Sequence, residues 1–254
     1  MIARAIAARI ARFYTSQTIQ KRVNFINQKE TTLSKPREVS VREATFCSGC
    51  PHNTSTAVPE GSIAGGGIGC HYMSTWSKTR PAHNFTHMGG EGVTWTGIAP
   101  FTSTKHIFQN LGDGTYFHSG ILAIRQSVSS KVNITYKILY NDAVAMTGGQ
   151  PIDGSLSLSD LIMQLKGEGI KRIELVSDTP QLHSALADTV VSVSHRDDLN
   201  LVQKQLREIT GTTILIYEQT CATEKRRRRK RGTLVYPKTR VFINDAVCEG
   251  CGDC

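Results

Sequence analysis

The chain has 254 residues, a formal charge of +9 and 39% hydrophobic residues, enough for one large domain, or one domain with appendages, around a proper core. Mean hydropathy is −0.24 and no apolar stretch reaches the roughly 18–20 residues of a membrane span, so no membrane partner is expected and a soluble, cytoplasmic protein is. Seven cysteines, an odd number without a secretory signal, argue against a disulfide framework and for metal binding or chemistry in a reducing compartment.

The first segment, MIARAIAARIARFY, reads as a helix with Arg4, Arg9 and Arg12 among alanines and isoleucines. It is too charged, and too short in its apolar part, to be a secretory signal. An Arg-rich, acid-free start can mimic a transit peptide; an ordinary helix, such as the tail of a preceding domain, is the preferred reading. Residues 1–40 form a basic helical leader and linker on this reading. Residues 41–100 are rich in glycine and cysteine, with a Cys47-x-x-Cys50 pair in FCSGCPHN, Cys70 in GGGIGCHY, and the turn MGGEG at residues 88–92. The GGGIGC run fails the GxGxxG dinucleotide pattern at Cys70. Its glycines read as backbone packed closely around a cofactor.

From residue 104 to 220 strands alternate with helices. HIFQNL and NITYKILY read as strands, with a helix from about Phe117 to Ser130 between them. Residues 156–167 read as a helix because Leu158, Leu161, Ile162 and Leu165 share one face. KRIELVS is a strand and TVVSVS a short one. DDLNLVQKQLREI is a helix with Leu199, Val202, Leu206 and Ile209 on one side, and TTILIYE is a final strand. This alternation predicts an α/β fold with a mostly parallel sheet and helices on both faces. Ligands in such sheets bind at the carboxyl ends of strands.

Two corners stand at such ends, Gly112-Asp113-Gly114 and Asn141-Asp142-Ala143. A hard divalent cation wants oxygen ligands and often shares its shell with a diphosphate. Asp113 can give a carboxylate oxygen, Asn141 an amide oxygen and Ala143 a backbone carbonyl. Glycines let the chain approach the phosphates. The pair of corners resembles the signature of thiamine diphosphate enzymes. That resemblance implies the thiamine diphosphate-binding fold over residues 41–224, with Mg2+ held by Asp113, Asn141 and Ala143. Thr147, Gly148 and Gly149, and less directly Gln150, would close over the diphosphate. Gly89 and Gly90 would line the thiamine site. His118, one turn beyond Asp113, could donate to phosphate or merely pack. No Ser–His–Asp arrangement, Walker loop or HExxH is present.

A loop-borne CxxC with the distant Cys70 and Cys221 can build a four-thiolate site once folded. FCSGCPHN, GIGC, GDGTYFHSG, AMTGGQP and the late Cys221 together resemble the 2-oxoacid:ferredoxin oxidoreductases, in particular the fused bacterial indolepyruvate type, from about residue 41 onward. The resemblance implies a 4Fe–4S cluster on Cys47, Cys50, Cys70 and Cys221 beside the cofactor. A structural or zinc-binding CxxC with a buried Cys221 is the alternative. The resemblance places His52 near the substrate end of the cofactor, where a donor could stabilise developing negative charge; a loop-capping role is equally open. The implied reaction is oxidative decarboxylation of an aryl pyruvate such as indolepyruvate to an acyl-coenzyme A, with ferredoxin taking the electrons.

Cys248, Cys251 and Cys254 open a C-x2-C-x2-C-x3-C run, so residues 240–254 are expected to begin a truncated ferredoxin-like module with an incomplete second cluster. Thiamine enzymes also need a pyrimidine-binding domain or subunit that is not found here, so the chain is expected to be an oligomerising fragment or subunit, inactive alone. The run KRRRRKR, Lys225 to Arg231, reads as part of a solvated linker over residues 225–239 that could steer an acidic electron carrier. Nucleic-acid binding through it lacks any accompanying aromatic stacking motif. A non-redox thiamine decarboxylase domain would share the metal corners but has no use for four cysteines.

Overall fold

The computed structural model describes residues 2–33, 44–77, 82–152, 154, 156–239 and 241–250. The chain divides into two compact units, residues 1–43 and 44–254. The first holds two helices, α1 (Ile2–Ile10) and α2 (Gln17–Leu33), neither with a buried residue, joined by an Arg4–Glu30 ion pair. Among the described residues no helix is long and apolar enough to cross a membrane.

The second unit runs through a short helix α3 (His52–Ser55), strand β1 (Ile63–Gly65), a 3-10 segment Cys70–Trp76, helix α4 (Val93–Ile98) and strand β2 (Ile107–Gly112). Helix α5 (Asp113–Thr115) continues through a π turn at Tyr116–Gly120 into α6 (Ile121–Ser129). Then come β3 (Ile134–Tyr140), α7 (Leu158–Gly167), β4 (Ile173–Ser177), β5 (Val191–His195), α8 (Leu199–Arg207), β6 (Thr212–Glu218) and α9 (Ala222–Lys230).

The strands form one parallel sheet in the order β1-β2-β3-β6-β4-β5. Both faces are covered, so the strands read as apolar runs; all five residues of β4 are buried. Alternate side chains serve two cores. Ile138, Leu175 and Ile216 join Trp95 of α4, Ile124 of α6 and Leu161 and Leu165 of α7. Leu139, Val176, Leu215 and Tyr217 meet Leu199, Val202 and Leu206 of α8 on the other side. Crossovers of one hand explain the division. Each step from β1 to β5 moves the same way across the sheet and lays its helix on the first face. The step from β5 to β6 turns back, puts α8 on the second face, and inserts β6 between β3 and β4. Strand β6 thus ends beside β3.

Three details depart from the sequence reading. Strand β1 lies inside the glycine-rich region, where three residues are too few to carry a period. The helix after the first corner starts at Asp113 rather than Phe117, because the π turn carries it through Phe117-His118. The basic run is not a solvated linker: it is helix α9, with Ala222 and Glu224 buried. Arg226, Arg227 and Arg228 find acidic and carbonyl partners, which helps so many like charges share a helix. Residues 241–250 carry neither helix nor strand, and Cys251 and Cys254 fall outside the described residues.

Two polar groups of β3 are tied inside the second unit. Lys137 of β3 is fully buried, donates to the carbonyl of Ala57 at 2.6 Å, and burial pushes its pKa down to about 7. It anchors the segment that follows the CxxC pair. On the opposite face of β3 the Tyr136 hydroxyl sits 2.8 Å from Ser127 Oγ and 3.0 and 3.1 Å from the carbonyls of Glu91 and Ala123. Tyr136→Phe would leave several of these groups unsatisfied. We expect it to cost about 1–3 kcal/mol in urea unfolding, with part recovered in Tyr136→Phe/Ser127→Ala.

Candidate functional site

With every strand parallel, the loops after β1, β2, β3 and β6 all emerge at one edge of the sheet. Asp113, the first residue after β2, is 3% exposed. Its Oδ2 accepts the N–H groups of Asn141 (2.8 Å) and Asp142 (3.0 Å), and its Oδ1 accepts that of Gly114 (2.8 Å). The carboxylate thereby fixes the second corner, nearly thirty residues away in sequence. Asn141 Oδ1 accepts from the Ala143 N–H at 3.1 Å, and Asp142 takes φ 60°, a left-handed value that Asp tolerates. Burial pushes Asp113 up to about 6 against the lowering effect of its three backbone donors. A buried carboxylate in that state lacks a countercharge.

A cavity of about 440 Å3 opens over this corner. Gly112, Asp113, Gly114, His118, Asn141 and Ala143 line it, together with Cys70, His71 and Met88. Gly89 and Gly90 stand beside Met88 but do not line it. A Cβ on Gly89 would lie 2.4 Å from Ser119 Oγ, so that glycine packs against the turn whose His118 Nδ1 meets the same hydroxyl at 2.8 Å. Gly148 and Gly149 also lie off the cavity wall, in a loop closed by Val144 N–H to Gln150 O (2.9 Å) and Gly149 N–H to Val144 O (3.0 Å). Thr147 closes the 3-10 turn Ala145–Thr147 of the same loop.

Next to it, Cys47, Cys50, Cys70 and Cys221 line a second cavity of about 80 Å3 with His52. Residues far apart in sequence meet there because β6 ends beside β3. The Cys221 N–H donates to the Asn141 carbonyl at 3.0 Å. Cys70 borders both cavities. Burial, with the neighbouring cysteines adding to it, pushes the Cys50 thiol up to about 11, and burial raises Cys70 as well. Among the described residues no three His, Cys, Asp or Glu side chains stand at metal-ligating spacing. Cys248 is exposed.

His52 is 2% exposed and lines the cysteine cavity rather than the larger one, with Nδ1 3.2 Å from Ser55 Oγ. Its ring meets that of His71 edge-on at 5.6 Å. Burial lowers His52 to about 4 and His71 to about 3, so both are neutral imidazoles near pH 7. His71 was not singled out from the sequence, where only its place after Cys70 marks it. Its Nε2 is buried without a partner. A Cβ on Gly67 would sit 2.7 Å from that nitrogen and one on Gly69 2.6 Å from its ring carbon, which explains the glycines before Cys70. Glu91 is a second addition: 1% exposed, with Oε2 accepting from Gly89 N–H at 2.7 Å and Oε1 unpartnered.

The model of one family, the thiamine pyrophosphate enzyme C-terminal TPP binding domain, matches residues 67–216, a span that includes both corners and Cys70. The chain belongs to this family. It is also similar to proteins named indolepyruvate oxidoreductase subunit IorA. The Thermococcus kodakarensis protein is 25% identical over 99% of this chain and 39% of its own length. That of Methanothermobacter marburgensis is 27% identical over 90% of this chain and 41% of its own. The chain thus spans about two fifths of the curated relatives it matches. The fold is shared with a 2-oxoglutarate:ferredoxin oxidoreductase from Magnetococcus marinus, solved with 2-oxoglutarate, coenzyme A and succinyl-CoA bound. There the TM-score is 0.53 at 19% identity, covering 73% of this chain and 66% of that one.

The Asp113 geometry has a consequence for stability. The folded value, about 6, lies above the unfolded one, so the folded state holds the extra proton between them. Without a bound cation, stability from this group falls as pH rises from about 4 through 6, with a slope of at most about 1.4 kcal/mol per pH unit. Asp113→Asn is expected to flatten that decline in urea titrations. An unchanged slope would mean that Asp113 does not titrate there.

Proposed function

We propose that this chain is the thiamine diphosphate- and Mg2+-binding part of an oxidoreductase that decarboxylates aryl pyruvates such as indolepyruvate, with coenzyme A as acyl acceptor and ferredoxin as electron acceptor. The observation that carries it is the shared wall: Cys70 borders both the cavity over Asp113 and the cavity of four cysteines. An electron relay has to begin beside the carbon chemistry, and a non-redox decarboxylase has no use for thiols there. The names of the relatives point the same way.

The donor chemistry fits the groups. The carboxylate of Asp113, the amide oxygen of Asn141 and the carbonyl of Ala143 are hard oxygens suited to Mg2+, and a cation would supply the countercharge Asp113 lacks. Thiamine diphosphate, when bound, supplies the electron sink for loss of carbon dioxide from a 2-oxoacid. Around it, this chain's part is to orient and exclude water. His118, exposed in the same cavity wall as Asp113, would donate to a phosphate. His71, a neutral imidazole in the larger cavity, can donate one hydrogen bond to developing negative charge without standing as a cation, while His52 lines the cysteine cavity beside it.

Cys47, Cys50, Cys70 and Cys221 would hold a 4Fe–4S cluster, giving up their thiol protons to ligate it. The overall balance is a 2-oxoacid and coenzyme A giving acyl-coenzyme A, carbon dioxide, a proton and two electrons, the electrons leaving singly to ferredoxin. Cys248, Cys251 and Cys254 would begin the ligand run of a second cluster. Because the chain spans only part of its relatives, turnover is expected only with a pyrimidine-binding domain or subunit, so association is part of the proposal.

Two measurements test this. Anaerobically purified protein should carry about four irons and four acid-labile sulfides with a reduced-cluster EPR signal, lost in Cys47→Ala. Zinc, or no metal at all, would sink the redox reading and leave a thiamine diphosphate-binding domain. In calorimetric titration with Mg2+ and thiamine diphosphate, protons should compete for Asp113. Affinity is expected to fall about tenfold per pH unit below about 6, and Asp113→Asn should abolish both the binding and its pH dependence.

A further inference from the structure

Helix α9 begins at Ala222, directly after Cys221 in the cysteine cavity, and runs over the loop that follows the metal corner. Its arginines meet that loop at three places. Arg227 donates to the carbonyls of Gly148 and, at 2.6 Å, Gly149. Arg228 Nη2 reaches Asp142 Oδ2 at 2.5 Å. Both guanidiniums are oriented by the buried Glu224, one turn earlier, at 2.7 Å from Arg227 and 3.0 Å from Arg228. Arg226 Nη2 also donates to the Ser48 carbonyl, between the two cysteines of the CxxC, at 3.4 Å. The start of the helix is pinned by the Cys221 N–H to the Asn141 carbonyl.

The glycine of this loop is matched to the contact. Gly149 takes φ 78°, and a Cβ there would lie 2.7 Å from Arg227 Nη1. The backbone can therefore approach the guanidinium only without a side chain. With their carbonyl oxygens committed to Arg227, Gly148 and Gly149 stay off the cavity wall, so two dipoles that would repel an anion are kept away from it.

We propose that Arg227 and Arg228 are positioning residues for the metal and diphosphate loop, and that α9 ties the geometry of this loop to that of the cysteine site. The proposal rests on the thiamine diphosphate reading. Neither arginine touches the cofactor in it. They hold the corner Asp142–Gly149 in the form that presents Asn141 and Ala143. An ion pair at partly exposed groups contributes little by itself; the fork to two carbonyls and the common anchor at Glu224 make the set more than one surface pair.

The test titrates the purified full chain with Mn2+ and thiamine diphosphate, reading free Mn2+ by EPR, with iron content and thermal unfolding measured on every variant. Arg227→Ala and Arg228→Ala are expected to weaken binding about tenfold while iron content and unfolding change little. Arg228→Lys, which keeps the charge, should recover part of the loss. Gly149→Ala should reproduce the Arg227→Ala effect by pushing the guanidinium aside. In the double variant Asp142→Asn/Arg228→Ala, the loss should be no greater than in either single one. A second readout needs no ligand: hydrogen exchange across residues 142–150 should quicken in both alanine variants. Wild-type binding and exchange in the arginine variants, with binding lost in Asp113→Asn, would overturn the clamp alone. Binding that survives Asp113→Asn, or is missing from the wild type, would instead overturn the cofactor reading, and the exchange data would then decide the loop tether on their own.

Discussion

The pairing of β6 with β3 is the constraint on which the rest of the site depends. The chain could have continued outward from β5, and both cores would still have had a sheet to cover. Instead the crossover through α8 turns back and seats β6 in register with β3, Tyr140 against Glu218. The pairing runs on beyond the strands, with Gln219 N–H to Tyr140 O at 3.1 Å and Cys221 N–H to Asn141 O at 3.0 Å. A cysteine eighty residues downstream is thereby placed one hydrogen bond from the corner that Asp113 organises. Nothing local to either segment requires that neighbourhood. It follows from the direction of one crossover and from the uniform hand of the others.

Electrostatics then gives the two cavities a common character. Each buries groups whose charged form is disfavoured in the bare protein: Asp113 in one, Cys50 and Cys70 in the other. Desolvation dominates all three, and hydrogen bonds only partly offset it at Asp113 and Cys50. Burying such groups without cations is costly, and a fold that keeps them inward is more stable with positive charge bound there. The two histidines between the cavities move the opposite way and stay neutral, which spares the region a competing positive charge. The shifts therefore mark the same edge of the sheet that the hydrogen bonds mark.

How much of this was legible in the sequence depends on how local the signal is. Helices α7 and α8 announce themselves through one apolar face each, and the long strands through apolar runs bounded by turns. The two corners were legible because carboxylate, amide and glycine at strand ends carry chemistry whatever lies around them. Strand β1 was not, since three residues cannot show a period and its identity comes from the register Ile63 to Ile107. His71 and Glu91 were missed for a related reason. Their burial is a tertiary fact, and a histidine after a cysteine or a glutamate between glycines has no spacing that sets it apart.

The basic run illustrates the opposite error, a strong local signal with a misleading default. Seven cationic residues in succession look like a solvated tether because mutual repulsion opposes a helix in water. Repulsion is only half of the sum. Glu224 within the helix, Asp142 and Asp178 from neighbouring loops and three backbone carbonyls offer acceptors, and Lys225, Arg226, Arg227 and Arg228 all take one. Lys230 and Arg231 remain exposed, and Arg229 is half-buried with its Nε unpartnered. What decides between tether and clamp is thus the chain's own oxygen atoms at the end of β3. They lie on the same corner and loop as Asn141 and Ala143 without being the metal-facing oxygens themselves, so the order of that corner and the helicity of the run depend on one arrangement.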